Sequence, residues 1–181
     1  MNKYFLYSLD NRLCCEGILV IDKIGRDKRL EEELLLLGKT HKTGRSIEEL
    51  AVGEKMVLTE KIEDKDLLLY LGLTNDNNPL YIQHDFAAKT SYMKPIVPSI
   101  MLLGVITASI SKYLPGPGSH VIRQEVAFPK PTFHYALLTF TIEIKDIDLH
   151  KNEITLLAIA KDEQGDNVLE GLFYVNPPKL I

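Results

Sequence analysis

The last third of the chain alternates between apolar and polar residues as β-strands do. In Leu138–Ile144 every second residue is aliphatic or aromatic, and Thr or Glu fills the positions between. This period of two predicts a strand with one buried face. Ile154–Ala160 has apolar residues on both faces, which predicts a central strand that is covered on both sides. The turn Gln164–Asp166 then leads into a last predicted strand, Val168–Val175.

Upstream of these strands, the pattern predicts one further strand and two helices. Met56–Ile62 is the predicted strand, and Asp64 is expected to cap a short helix that carries Leu67–Leu71. Ser99–Tyr113 is predicted to be a longer apolar helix that ends at the proline- and glycine-rich segment 114–118. One strand, an apolar helix and consecutive antiparallel strands predict an α+β domain in which a curved sheet wraps around a central helix.

That central helix carries a stripe of small residues at helical spacing, Gly104, Thr107, Ala108 and Ser111. We interpret the stripe as the surface through which the helix packs closely on its sheet.

Residues 1–46 differ from the rest and are interpreted as an N-terminal extension, followed by one domain over residues 47–181. Tyr4–Leu9 and Leu13–Ile21 are predicted strands, Arg26–Leu37 is a predicted helix, and residues 39–46 form a polar linker. We expect the N-terminal strands to cover an exposed edge or face of the main sheet.

Composition excludes several classes of protein. The formal net charge of -4 provides no general attraction to nucleic acid or to anionic lipid. The longest uncharged run, between Lys94 and Lys112, is short for a membrane span of about 20 apolar residues, and the N-terminus is not typical of a signal peptide. Cys14 and Cys15 are adjacent, which disfavours a disulfide between them and favours a reduced, cytoplasmic compartment. The histidines are scattered and no other cysteine is present, so we expect no metal site.

The passage Thr74–Tyr81 (Thr-Asn-Asp-Asn-Asn-Pro-Leu-Tyr) resembles the hydratase motif of the MaoC-like family, which runs Asp, any residue, Asn-Pro, an aliphatic residue and His. The similarity extends over about residues 47–178. It continues through Phe86–Thr90, Pro95–Val97, Met101–Leu103, Leu114–Gly118, Gln124, Phe128, Pro131 and Val168–Gly171. The order and spacing of these pieces make the resemblance specific, and it implies a hot-dog fold.

Members of this family hydrate trans-2-enoyl thioesters or dehydrate (R)-3-hydroxyacyl thioesters, by general acid–base catalysis with an Asp and a His. The resemblance implies that Asp76 is the catalytic aspartate and that Ser99, at the start of the central helix, offers a backbone N–H to the thioester carbonyl. It also implies substrate contacts for Asn78, Thr107 and Gly116. No metal or redox cofactor is expected, because coenzyme A or an acyl carrier protein arrives with the substrate.

At two places the sequence departs from the family motif in a way that affects this chemistry. Tyr81 occupies the position of the catalytic His, and an ordinary tyrosine, with a pKa of about 10 against about 6.5 for histidine, is a poor base at neutral pH. Pro98-Ser99 replaces His-Gly before the central helix, and Ser99 is expected to cap that helix. His84 is the candidate substitute base, although an exposed turn histidine is the more ordinary interpretation. His120, His134 and His150 are expected at the surface.

Three functions remain open at this stage: an enoyl-thioester hydratase or dehydratase with impaired or altered activity, a silent hot-dog protein that binds acyl thioesters or serves as a subunit, and a regulator. The regulator would use the basic segment 23–45, which has a net charge of +3. Only one predicted helix precedes the linker, whereas a helix-turn-helix needs two, so we expect no nucleic-acid partner. A homodimer or a larger assembly is expected in each case.

Overall fold

The structure is a computed structural model that describes residues 19–22 and 43–179. The predicted strand Tyr4–Leu9, the predicted helix Arg26–Leu37 and most of the predicted strand Leu13–Ile21 lie outside the described residues. Within the described ranges, no helix combines the length and the apolar character needed to cross a bilayer.

Six strands form one sheet in the order β1-β2-β4-β5-β6-β3 within the described residues. Their bounds are β1 Leu19–Asp22, β2 Lys55–Lys61, β3 His120–Ala127, β4 Leu137–Asp148, β5 Glu153–Lys161 and β6 Asn167–Asn176. The β1–β2 pair is parallel, and all other neighbouring pairs are antiparallel. Residues 19–22 therefore cover the edge of β2, which confirms for this short segment that the extension protects an edge.

Within the described residues, four α-helices and one short 3-10 helix, Ile47–Glu49, connect these strands. The α-helices are α1 Asp64–Thr74, α2 Pro79–Ile82, α3 His84–Ala87 and α4 Ser99–Lys112. The first three, with the loops between them, lie between β2 and the central helix α4 in the chain. Asp64 is the first residue of α1 rather than its cap, since Glu63 holds the cap position and exchanges hydrogen bonds with the first turn.

The core lies between α4 and one face of the sheet. Leu102, Ile106 and Ile110 of α4 are buried in one cluster with the inward residues of the strands. The alternation predicted for β4 is confirmed, because Leu138, Phe140, Ile142 and Ile144 are all fully buried. β5 is an interior strand of the sheet, as predicted. The residues of its second face are only half-buried, so the prediction that both faces are covered is not confirmed.

The interpretation of the small-residue stripe on α4 is wrong. Gly104 and Ser111 are exposed, and a Cβ added at Gly104 would meet nothing within 4 Å. The helix packs on the sheet through its large aliphatic residues, because these bury more apolar surface. The small residues, together with Ile100, which is half exposed, form the opposite face of α4.

Candidate active site

The loop that carries Asp76 is tied together by its own side chains. α1 ends at Thr74, and Asn75 adopts the left-handed conformation (φ 53°) that turns the chain away from the helix. The Asp76 carboxylate oxygen Oδ1 then accepts a hydrogen bond from the Asn78 backbone N–H at 3.1 Å. Asn78 in turn caps α2, since its Oδ1 accepts the Leu80 N–H at 3.0 Å. Asp76 is thus half-buried in a defined turn.

A second side chain reaches Asp76 from α1. The hydroxyl of Tyr70 donates a hydrogen bond to Asp76 Oδ2 over 3.2 Å. Burial raises the pKa of Tyr70, the hydrogen bond to Asp76 raises it further, and the nearby Tyr81 adds a small effect of the same sign. Tyr70 was not among the residues predicted for the site. Its spacing from Leu67 was the available signal, since a tyrosine on the packed face of a helix needs a partner for its hydroxyl.

Tyr81 lies in the first turn of α2, three residues past its cap Asn78, and is half-buried. Its backbone N–H donates to the carbonyl of Asn78 at 3.1 Å. The N–H of Ile96 donates to the carbonyl of Leu80 at 3.3 Å, which joins α2 to the segment before α4. The structure therefore places Tyr81 on the same short loop-and-helix unit as Asp76 and close to Tyr70.

Ser99 is the first residue of α4, and Pro98 holds the cap position. The expectation that the Ser99 side chain caps α4 is wrong, because this helix start has no side-chain cap hydrogen bond. Ser99 does not have a positive φ, so a side chain at this position strains no backbone. It is exposed, and the first N–H groups of a helix lack intrahelical acceptors, which leaves them free to bind an oxyanion.

Thr107 lies further along α4 than Ser99, and Gly116 lies beyond the end of this helix. Thr107 is two turns from Ser99, about 12 Å along the axis, and its hydroxyl donates to its own helix at Leu103 O (3.0 Å). Gly116 follows the far end of α4 in a buried turn, where a Cβ would come within 3.2 Å of Gly44 Cα. The 14 residues of α4 span about 21 Å, so Gly116 stands apart from Ser99, and its role in substrate binding stays a prediction.

His84 lines a cleft of about 330 Å³ together with Asp64, Lys94, Pro95, Phe133, His134 and Tyr135. A larger cleft of about 620 Å³ lies between residues 43–49 and 149–152. Neither cleft is lined by Asp76 or Tyr81. His84 is exposed at the start of α3, and whether it serves as a base stays a prediction.

His134 corrects the expectation of surface histidines. Its side chain is only 18% exposed, and Nδ1 lies 3.5 Å from an oxygen of Asp64. Its Nε2 lies 3.4 Å from the carbonyl oxygen of Ile96. His120 and His150 are exposed, as expected.

Comparison with known proteins places this chain in a family. A family model described as MaoC like domain matches residues 48–164. The (R)-specific enoyl-CoA hydratase of Aeromonas caviae is 30% identical over 133 residues, which cover 74% of this chain and 99% of that protein. The 3-hydroxybutyryl-CoA dehydratase of Methylorubrum extorquens is 28% identical over 132 residues, covering 73% of this chain and 83% of the relative.

Solved structures agree with the sequence relatives. The (R)-hydratase from A. caviae involved in PHA biosynthesis has a TM-score of 0.69 at 28% identity, over 72% of this chain and 98% of that chain. An unliganded R-hydratase from Pseudomonas aeruginosa has a TM-score of 0.70 at 27% identity, over 76% of this chain and 88% of that one. The family model spans more than half of the sequence, and the hydratases align with nearly three quarters of it. The chain therefore belongs to the MaoC-like family and has its hot-dog fold.

Proposed function

We propose that the chain is an (R)-specific enoyl-thioester hydratase, or 3-hydroxyacyl-thioester dehydratase in the reverse direction, of fatty-acid metabolism with an altered catalytic motif. The observation that carries this proposal is the Asp76 carboxylate, which is half-buried and held by hydrogen bonds from two sides. The motif resemblance assigns the role of the catalytic aspartate to this residue. The hydratases and dehydratase that align with the chain act on coenzyme A thioesters by their names.

The chemistry proposed for this site uses one carboxylate. Water adds to C3 of the enoyl group while Asp76 takes its proton, and the same carboxyl then delivers a proton to C2, so that H and OH are added overall. The Ser99 N–H at the start of α4 binds the thioester carbonyl as negative charge develops on it. Tyr81 donates a hydrogen bond to the water. The reaction needs no metal or redox cofactor, and the coenzyme A or carrier protein belongs to the substrate.

Hydration of crotonyl-CoA, followed as loss of enoyl absorbance, tests the proposal. We expect slow turnover by the wild type, since a missing general base costs roughly 100- to 10,000-fold, and loss of that turnover in Asp76→Asn. Asp85→Asn is the matched control, because Asp85 is exposed nearby at the start of α3. Equal turnover in the wild type and Asp76→Asn would refute the role of Asp76.

The second candidate is a protein that binds acyl thioesters without converting them. Tyr81 favours it, since a tyrosine hydroxyl is protonated at neutral pH and does not replace an imidazole base. Tyr81→His separates the candidates. A strong gain in hydration would show that the remaining site is competent, whereas acyl-CoA binding by calorimetry without turnover in either form would support the binding protein.

We further propose that the active unit is a homodimer in the cytoplasm. β3 is the last strand of the sheet among the described residues and pairs only with β6. The exposed face of α4, with Ile100, Gly104 and Ser111, gives a second unpartnered surface. A free strand edge and an exposed helix face are both surfaces through which two copies of a chain can pair. A monomeric mass by light scattering would refute this.

The basic segment 23–45 lies mostly outside the described residues, so the regulator stays a prediction.

A further inference from the structure

We propose that Tyr70 is a positioning residue for Asp76, and that its hydroxyl holds the carboxylate in the orientation in which it exchanges protons with water and substrate. This inference rests on the proposed hydratase function and deepens it. It starts from the sequence of α1, whose half-buried or buried positions are Asp66, Leu67, Tyr70 and Leu71. These positions share one helical face, so the ring of Tyr70 is directed towards the protein.

The contact fixes the carboxylate from two directions. Oδ2 accepts from the Tyr70 hydroxyl at 3.2 Å, and Oδ1 accepts from the Asn78 N–H at 3.1 Å. One donor comes from the preceding helix and the other from the following loop, so rotation of the carboxylate would break a hydrogen bond on at least one side. Each oxygen keeps further acceptor capacity, and Asp76 can therefore be oriented and still bind a water.

The position of Asp76 near the C-terminal end of α1 makes the Tyr70 hydroxyl an important donor to its carboxylate. Asp76 lies two residues past the end of α1, where the helix dipole presents partial negative charge and disfavours an anion. The Tyr70 hydroxyl offsets that effect with a donor from the half-buried side. The raised pKa of Tyr70, caused by burial and then by Asp76, keeps its proton on the phenol across neutral pH. The hydroxyl is thus a permanent donor to the carboxylate.

The need for orientation is greater here than in a site with two bases. Where an aspartate and a histidine share the water, the proton transfers are divided between two side chains. With Tyr81 at the histidine position, the proposed chemistry uses Asp76 alone. A misplacement of about 1 Å can cost about 100-fold in rate. We expect Tyr70→Phe to lower kcat about 10- to 100-fold and to change KM by less than about threefold.

A double-mutant cycle tests the role. Crotonyl-CoA hydration is measured for the wild type, Tyr70→Phe, Asp76→Glu and the double variant, with Tyr92→Phe as the matched control on an exposed tyrosine of the same region. Asp76→Glu keeps a carboxylate, and with it a residual rate, but the longer side chain displaces that carboxylate from the Tyr70 hydroxyl. We expect the kcat loss of Tyr70→Phe to vanish in the Asp76→Glu background. A merely structural role would lower the rate in both backgrounds. That result, or a Tyr70→Phe variant as active as Tyr92→Phe, would overturn the inference.

A second measurement keeps the inference separable from the proposed function. The ring carbons of labelled tyrosines are titrated by NMR, and the Tyr70 signal is assigned by its loss in Tyr70→Phe. Burial and then Asp76 raise the pKa of Tyr70, so we expect this pKa to fall in Asp76→Asn, where only the contribution of the carboxylate is removed. No change would overturn the Tyr70–Asp76 contact itself. A fall in this pKa without any wild-type turnover would overturn the hydratase function and leave the contact established.

Discussion

Gly171 is a position where a single methyl group should loosen the sheet. It lies in β6 opposite Val126 of β3. A Cβ at this residue would stand 2.4 Å from the carbonyl oxygen of Glu125 and 2.9 Å from Val126 Cα, both backbone atoms. Backbone atoms cannot rotate away as a flexible side chain can, so β3 must shift by about 1 Å. The conflict is steric rather than conformational, because Gly171 has no positive φ.

The expected cost of Gly171→Ala is about 2–3 kcal/mol in the free energy of unfolding. Overpacking typically costs about 1–3 kcal/mol, and distortion of two ladder hydrogen bonds at about 1 kcal/mol each gives a similar value. Urea unfolding should show a lower midpoint at an unchanged slope. Gly72→Ala is the matched control, since Gly72 lies in α1 with nothing within 4 Å of its added Cβ, and it should stabilise by about 1 kcal/mol. A Gly171→Ala midpoint equal to that of the wild type would refute the close β3–β6 approach.

Three further predictions follow from charge and exposure. Burial alone would raise the pKa of Glu143, but hydrogen bonds from two neighbouring lysines outweigh it and lower the pKa. Glu143 therefore stabilises the fold above its ordinary pKa and loses this contribution as pH falls below about 4.5. The free energy of unfolding of Glu143→Gln should for this reason fall less steeply with acidification than that of the wild type. Tyr70 has a raised pKa, so its stabilisation is present below about pH 10 and lost above it; Tyr70→Phe should show less alkaline destabilisation in thermal unfolding. Gly104→Glu, measured by light scattering, should halve the mass of a dimer that uses the exposed face of α4, whereas Gly72→Glu should leave it unchanged.

The strands could be predicted because their signal is local. In β4 the two faces follow from a strict period of two. Any register that buries one of its inward apolar residues buries all four, Leu138, Phe140, Ile142 and Ile144. The central place of β5 follows from its apolar second face for the same reason. These are properties of the chain's own pattern, and together with the long apolar helix they predict the α+β arrangement. The hot-dog fold itself was expected from the motif resemblance.

Exposure of single side chains was less predictable, because it depends on which distant segment covers them. Gly104 is compatible with a tightly packed helix face and with an open one, and the sequence does not distinguish these. His134 stands in a turn that precedes β4, yet Asp64 and Ile96 come to it from far along the chain. Tyr70 was not predicted for the same reason. Its hydrogen-bond partner Asp76 comes close to it because the turn at Asn75 directs the chain back towards α1.

The loop geometry explains why the altered residue at position 81 is compatible with an intact site. Asp76 is held by Tyr70 and by the Asn78 N–H, and α2 is capped by Asn78. Within residues 43–179, none of the hydrogen bonds that shape this loop uses the side chain of Tyr81, which contributes only its backbone N–H. A change at this side chain therefore removes a base without removing the scaffold that positions Asp76. For that reason Tyr81→His should alter the rate far more than the stability of the fold. A large loss of stability in that variant would show that the tyrosine ring itself supports the loop.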